Sequence, residues 1–279
     1  MKKKTSPLSK LYMLLVFLFL YAPIFVLFIY SFNASSSTSV FTGFSLRWYE
    51  ALLKDEESIK ALYNTLILAV TSAAVSTVMG TAAAVGIHAL KNKYIKSTVM
   101  TVTNIPMMNP EIVTGISMML LFVFVGKLLD ITNVLGFWTM LIAHVTFNLP
   151  YVILNVTPKL RQLDVHLPEA AMDLGCTPVK AFFKVVMPSI MPGIVSGMIM
   201  AFTLSLDDFV ISYFTTGPSF QTLPIRIFSM TKKRVKPDMY ALSTIIFLAV
   251  LILLILVNVA QARSEKKAMK KETVTEAEI

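Results

Sequence analysis

Charge is scarce in this 279-residue sequence: Asp, Glu, Lys and Arg make up 15% of it, against about 25% in ordinary soluble domains. Cysteine is scarcer still. The single Cys176 excludes a disulfide framework and any cysteine-rich zinc or iron–sulfur site. The three histidines, His88, His144 and His166, are far apart and form neither H-E-x-x-H nor another ligand spacing, so a membrane-embedded metalloenzyme has no signature here. His88 and His144 read as packing or interface residues and His166 as a solvated one. No G-x-x-x-x-G-K-S/T loop occurs, so the chain has no phosphate loop with which to bind and hydrolyse ATP. Nor does any run of about ten residues alternate apolar and polar positions, as a membrane barrel strand requires.

What the sequence has is apolar length. Hydrophobic residues make up 56%, and most of them fall in six windows: 11–32, 65–90, 97–125, 131–156, 186–214 and 240–262. At a rise of ~1.5 Å per residue, each exceeds the ~30 Å hydrocarbon thickness of a bilayer. The sequence predicts an all-α, multi-pass membrane protein with six transmembrane helices in a single domain, 1–279. The first window follows Lys2, Lys3, Lys4 and Lys10, as a signal peptide would, but it is too long and lacks an A-x-A site, so it reads as a retained helix. The net charge of +9 does not imply nucleic acid. Its basic residues sit in short segments between windows, where topology accounts for them: of 25 Lys and Arg, sixteen fall on one side when both termini are cytoplasmic.

Two windows carry further detail. In the second, Ser72, Ser76, Gly80 and Ala84 recur every four residues beside Ala69, Ala73 and Thr77; small residues at this spacing let helix backbones approach closely in lipid. In the third, Pro106 and Pro110 predict a kink or break, with Asn109, Pro110 and Glu111 as the cap and first turn of a new segment.

Between windows four and five, the cytoplasmic stretch 157–188 is patterned. Leu163, Leu167, Ala170, Ala171 and Leu174 can share one side of a short helix, Gly175 permits a sharp turn, and Val179, Phe182, Phe183 and Val186 repeat at helical spacing. The expectation is a helix–turn–helix lying flat under the membrane, either as a knob for a cytoplasmic partner or as an interfacial helix among lipid headgroups.

Glu169, Ala170 and Ala171, three residues, Gly175, nine residues, Val185, one residue, then Met187 and Pro188 resemble the EAA motif of permease subunits of ATP-binding-cassette importers. Val185 and Met187 replace the Ile and Leu of that pattern. The resemblance implies a type I importer permease fold, with Glu169, Ala170, Ala171, Gly175 and Pro188 coupling the membrane helices to an ATPase subunit whose groove receives the short helix. It also implies partners: a second permease in a PotB-like heterodimer, two ATPase subunits that bind ATP and magnesium, and an extracellular binding protein. No cofactor is expected in this chain, which is not itself an enzyme, and the location is the bacterial cell membrane. Tyr63, Asn64 and Thr65, then Pro110 to Val113, Leu149 to Tyr151, Ser205 to Asp208, and Thr216 to Pro218 look like the C-type permeases of spermidine/putrescine importers. Thiamine, ferric iron or sulfate permeases of the same class, or an ion-coupled secondary transporter, are the alternatives.

Carboxylates inside membrane windows demand a reason, since each costs roughly 2.5–3.5 kcal/mol at a helix centre. Three stand out: Glu111, Asp207 and Asp208. A path for a chain of ammonium groups needs carboxylates and aromatic faces, so these acids are path candidates, with Tyr213 or Trp138 as aromatic partners. The competing reading is structural. Glu111 can cap a broken helix, and adjacent aspartates point about 100° apart on a helix, so both cannot face one pore equally. Cys176 is expected to be a reduced bystander, the seventeen methionines to be packing, and the tail 263–279 a solvated extension. The cluster Lys232, Lys233, Arg234 and Lys236 suits either an acidic binding-protein surface or anionic lipid headgroups.

Overall fold

The computed structural model describes residues 7–35, 40–164, 166–232 and 240–245, together with Leu248, Leu251, Ile252, Ile255 and Val259. Every regular element among the described residues is helical. In order these are α1 (Pro7–Tyr30), α2 (Arg47–Leu53), α3 (Glu56–Ala89), α4 (Lys93–Met108), α5 (Glu111–Leu128), α6 (Phe137–Gln162), α7 (His166–Asp173), α8 (Pro178–Ala181), a π-helical turn (Phe182–Val186), α9 (Met187–Asp207), α10 (Val210–Thr215) and α11 (Leu223–Lys232). Among the described residues, five segments are long and apolar enough to cross a membrane: Leu8–Tyr30, Glu56–Ala89, Glu111–Leu128, Phe137–Gln162 and Pro178–Asp207. The sixth window begins helically at 240–245. Most of its remainder lies outside the described residues, as do Lys233, Arg234, Lys236 and the tail.

Three expectations are corrected by the backbone. The third window breaks into two helices as expected, but at a different cap residue. Pro110 pushes Asn109 out of the helical region, to φ −74° and ψ 140°, and α5 restarts at Glu111 with Pro110, not Asn109, at its cap position. The fifth window is also broken, at Asp208, where φ is −62° and ψ 122°. The third correction concerns the cytoplasmic stretch. Its second amphipathic run is not a separate helix, because α8 and the π turn run directly into α9 as the start of the fifth span. Pro188 and Pro192 lack amide protons, which leaves carbonyls one turn earlier without their usual donors. The widened π turn immediately precedes them.

The chain forms two compact units. The first takes residues 1–60 and 226–254. There the buried Asn33 organises the segment after α1: its amide donates to the Val40 carbonyl at 2.7 Å, its Oδ1 accepts from Thr42 N at 3.0 Å, and its carbonyl accepts the Trp48 indole N–H at 2.7 Å. Ser31 and Tyr49 hydroxyls meet at 2.7 Å, and Phe32 stacks on Phe44. At the start of α3, Asp55 accepts from the Ser58 hydroxyl at 2.5 Å and from Arg226 at 3.3 Å, while Arg226 also binds Glu57.

The second unit takes 61–225 and 255–279. Its core is the seam of α3, α6 and α9, where Ala73, Ala84, Val152, Ile153, Val156, Ile190 and Ala201 are buried together. The small-residue stripe faces inward as expected: Ala69, Ser72, Ala73, Ser76, Thr77 and Ala84 are all buried. A Cβ added at Gly80 would come within 2.7 Å of Val152 Cβ, so glycine sets how closely α3 approaches α6. A buried polar contact crosses the same seam, with the Asn148 amide donating to Ser205 Oγ at 2.7 Å and Ser72 Oγ lying 2.8 Å from Ser205 Oγ. Phe122, Ala143, Phe147 and Ile211 form a second apolar cluster around α10.

Two outcomes follow. Gly80→Val should destabilise the chain by about 1–3 kcal/mol, as overpacking does, whereas Ala74→Val on the exposed side of α3 should change little; thermal unfolding in detergent separates them. Burial pushes the Asp55 carboxyl upward, but the Ser58 hydrogen bond and Arg226 outweigh it, so Asp55 titrates below the ordinary 3.8. A lowered folded value means that its share of stability is complete above the unfolded value and is lost as pH falls through the folded one. Melting temperature should therefore drop on the acid side below about pH 4, and Arg226→Ala should make that drop shallower.

Candidate functional site

The first half of the EAA-like stretch folds as its spacing predicts, as a short helix closed at Gly175. The α6 helix extends to Gln162, Asp164 Oδ1 accepts the His166 backbone N–H at 3.0 Å, and α7 follows as a two-turn helix. Gly175 closes it in the left-handed region, at φ +86°. Its N–H donates to Met172 O at 2.9 Å, and the next N–H, from Cys176, reaches back to Ala171 O at 3.1 Å. This 6→1 and 5→2 pair is a Schellman closure, which favours glycine because other residues are strained at that φ. Thr177 then starts α8 with Pro178 in its first turn. Glu169 and Ala170 are exposed, Ala171 is half-buried, and His166 Nδ1 lies 3.2 Å from Glu169 Oε2. Large apolar side chains stand out around them: Leu167, Leu174, Val179 and Phe183 are all exposed, Leu174 at 87%. Pro188 lies in the first turn of α9.

The second feature is the break between α9 and α10. Asp208 caps α10, with Oδ1 accepting from Ile211 N at 3.2 Å and Oδ2 from Ser212 N at 2.7 Å. His144 reaches it from α6: Nε2 lies 3.5 Å from Asp208 Oδ2 and 3.0 Å from Ser212 Oγ. The side chains of His144 and Asp208 are only 2% and 5% exposed. At the end of α10, Thr139 Oγ1 donates to the Thr215 carbonyl at 3.1 Å.

The structure therefore separates the three intramembrane acids. Asp208 points into the seam and Asp207, one residue earlier, is exposed, as the angular argument requires. Glu111 is exposed in the first turn of α5. Of the aromatic candidates, Tyr213 is partly exposed on α10, where it packs against Phe209 and Phe214, and Trp138 is exposed beside Phe137 at the start of α6. His144 is the residue that the sequence pattern missed. Nothing local marks it, and the only available signal was the shared requirement of a buried acid and a buried imidazole for a polar partner.

Two relatives align over almost the whole chain. The putrescine transport system permease protein PotI of Escherichia coli (strain K12) is 40% identical over 265 residues, 95% of this chain and 94% of its own. The spermidine/putrescine transport system permease protein PotC of the same strain is 37% identical over 244 residues, 88% of this chain and 90% of its own. The motifs point to C-type permeases, and PotC is among the relatives, although PotI matches at higher identity. Among solved structures, a bacterial ABC transporter involved in import of the polysaccharide alginate superposes with a TM-score of 0.72 at 18% identity, covering 90% of this chain and 92% of that one. Inward-facing MetNI methionine ABC transporter superposes with a TM-score of 0.58 at 19% identity, covering 74% and 93%. The fold is that of a membrane-spanning ABC transporter subunit. Residues 76–270 match the binding-protein-dependent transport system inner membrane component family, and the chain belongs to that family.

The geometry of the Gly175 closure predicts that Gly175→Val strains the turn by roughly 1–2 kcal/mol, the penalty of a left-handed residue with a Cβ, whereas Gly175→Asn is tolerated better. Limited proteolysis between α7 and α8 should be faster in the valine variant and near normal in the asparagine one.

Proposed function

We propose that this chain is one permease subunit of an ATP-driven importer for polyamines, forming half of a membrane passage with both termini in the cytoplasm. The observation that carries this reading is the identity of 37–40% to two polyamine permeases over nearly the full length. It is joined to an EAA-like loop in a sequence without a G-x-x-x-x-G-K-S/T phosphate loop. An extracellular binding protein delivers substrate, a second, PotB-like permease completes the passage, and two ATPase subunits bind ATP with magnesium and hydrolyse it.

In this scheme Glu169, Ala170, Ala171 and Gly175 carry force. The exposed apolar rim of α7 suits a groove on the ATPase, the small alanines allow close approach, and the Gly175 turn fixes α7 against α8. Because α8 is continuous with α9 through the π turn and Pro188, a push on α7 is delivered along the fifth span. The passage attracts ammonium groups through Asp207 and Glu111, with Tyr213 offering a ring face to a partly dehydrated cation. Few fixed cations compete for these acids along the spans, and the low dielectric strengthens each attraction.

Uptake of labelled putrescine and spermidine in cells lacking the gene, with and without the gene restored, tests the reading. Loss and rescue, with competition by polyamines but not by thiamine or ferric iron, is expected; unchanged uptake would sink the polyamine assignment. Glu169→Arg should abolish ATP-dependent uptake while leaving membrane abundance normal. Undiminished uptake would remove α7 from the coupling path.

A further inference from the structure

We infer that His144 is a positioning residue: through Asp208 and Ser212 it holds the α9–α10 break in the arrangement that turns the Asp207 carboxylate outward to the substrate. The assignment of Asp207 to a cation rests on the polyamine reading above; the positioning itself does not.

A helix broken inside a span leaves backbone N–H groups that lipid cannot satisfy. Here Asp208 takes two of them, at Ile211 and Ser212. A carboxylate committed in this way is buried on one face of the seam, and it fixes the preceding residue about 100° away on the opposite side. Packing against α5, where Gly115 lies beside Val210, Ile211 and Phe214, holds α10 on one side. On another side, α6 makes polar contacts before, at and after the break. Asn148 holds Ser205 before the break, His144 meets Asp208 and Ser212 at it, and Thr139 holds the Thr215 carbonyl after it. His144 is the middle contact, and it touches both the acid and the hydroxyl that follow the bend. Nε2 is at hydrogen-bond distance from the Ser212 hydroxyl, with Asp208 Oδ2 3.5 Å away. With His144 cut back, the contacts at Asn148 and Thr139 still tether the two helices, but the turn between them loses its lateral support.

Cys176 is the only native cysteine, so a Cys176→Ser background allows a direct test in the assembled transporter. In it, Asp207→Cys should react with a water-soluble methanethiosulfonate and Asp208→Cys should be protected. Adding His144→Ala should change the Asp207→Cys rate by roughly three- to tenfold, the order expected from losing one buried hydrogen bond. His144→Gln, whose amide can reach the same oxygens, should restore it. Equal labelling of Asp207→Cys and Asp208→Cys, or no effect of His144→Ala, would overturn the inference. The second arm is a cycle read in KM for putrescine. His144→Ala should raise KM, and Asp207→Asn should add little in that background; additive effects, or a fall in maximal rate and abundance with KM unchanged, would assign His144 a purely structural role. Ser212→Ala serves in both arms if His144→Ala fails to assemble. If the parent transporter takes up no polyamine, the substrate reading falls while the labelling arm still decides the positioning.

Discussion

The arrangement of this chain depends on one constraint: inside a bilayer every backbone N–H and C=O needs a partner from the protein, because lipid offers none. A straight helix meets that need internally, and most of the chain is straight helix. The informative places are those where it is not. At Asn109 and Pro110 the interruption coincides with a residue that has no amide proton. At Asp208 the exposed donors of α10 are taken by the side chain of the residue that broke the helix. Each departure thus carries its own compensation, and the compensation at Asp208 brings a buried acid and a buried histidine into contact.

Packing follows a second rule. Helices in lipid gain little from hiding leucine, so they associate by approaching closely. The α3–α6–α9 seam shows this, with a glycine opposite Val152, alanines beside it, and serines that hydrogen-bond across the gap. The same seam holds α9 firmly up to Ser205. In the proposed scheme, force delivered at α7 enters α9 and arrives at the break at Asp208. The α7–α8 turn and the acidic bend lie at the two ends of one continuous helical path.

Much of this could be read from the sequence, for local reasons. The EAA-like loop is a matter of spacing within twenty residues, and Gly175 is glycine because its turn needs a positive φ. The small-residue stripe of α3 repeats with the helix itself. The break at Asp208 was harder, since no proline or glycine marks it and the flanking residues are apolar. The only local sign was a pair of aspartates, one of them a good helix cap. The partnership of Asp208 with His144 had no local sign at all, because it joins α6 to α9 and α10 across dozens of residues. Hydropathy averaging puts α4 and α5 in one apolar window, and the signal that it breaks is the missing amide protons of Pro106 and Pro110.

The most direct test is transport in proteoliposomes containing this chain with its partner permease and ATPase subunits and an external binding protein. Uptake of labelled putrescine that requires all components, and requires ATP on the ATPase side, is the predicted result. Uptake by this chain alone, driven by an ion gradient and indifferent to ATP, would contradict the account.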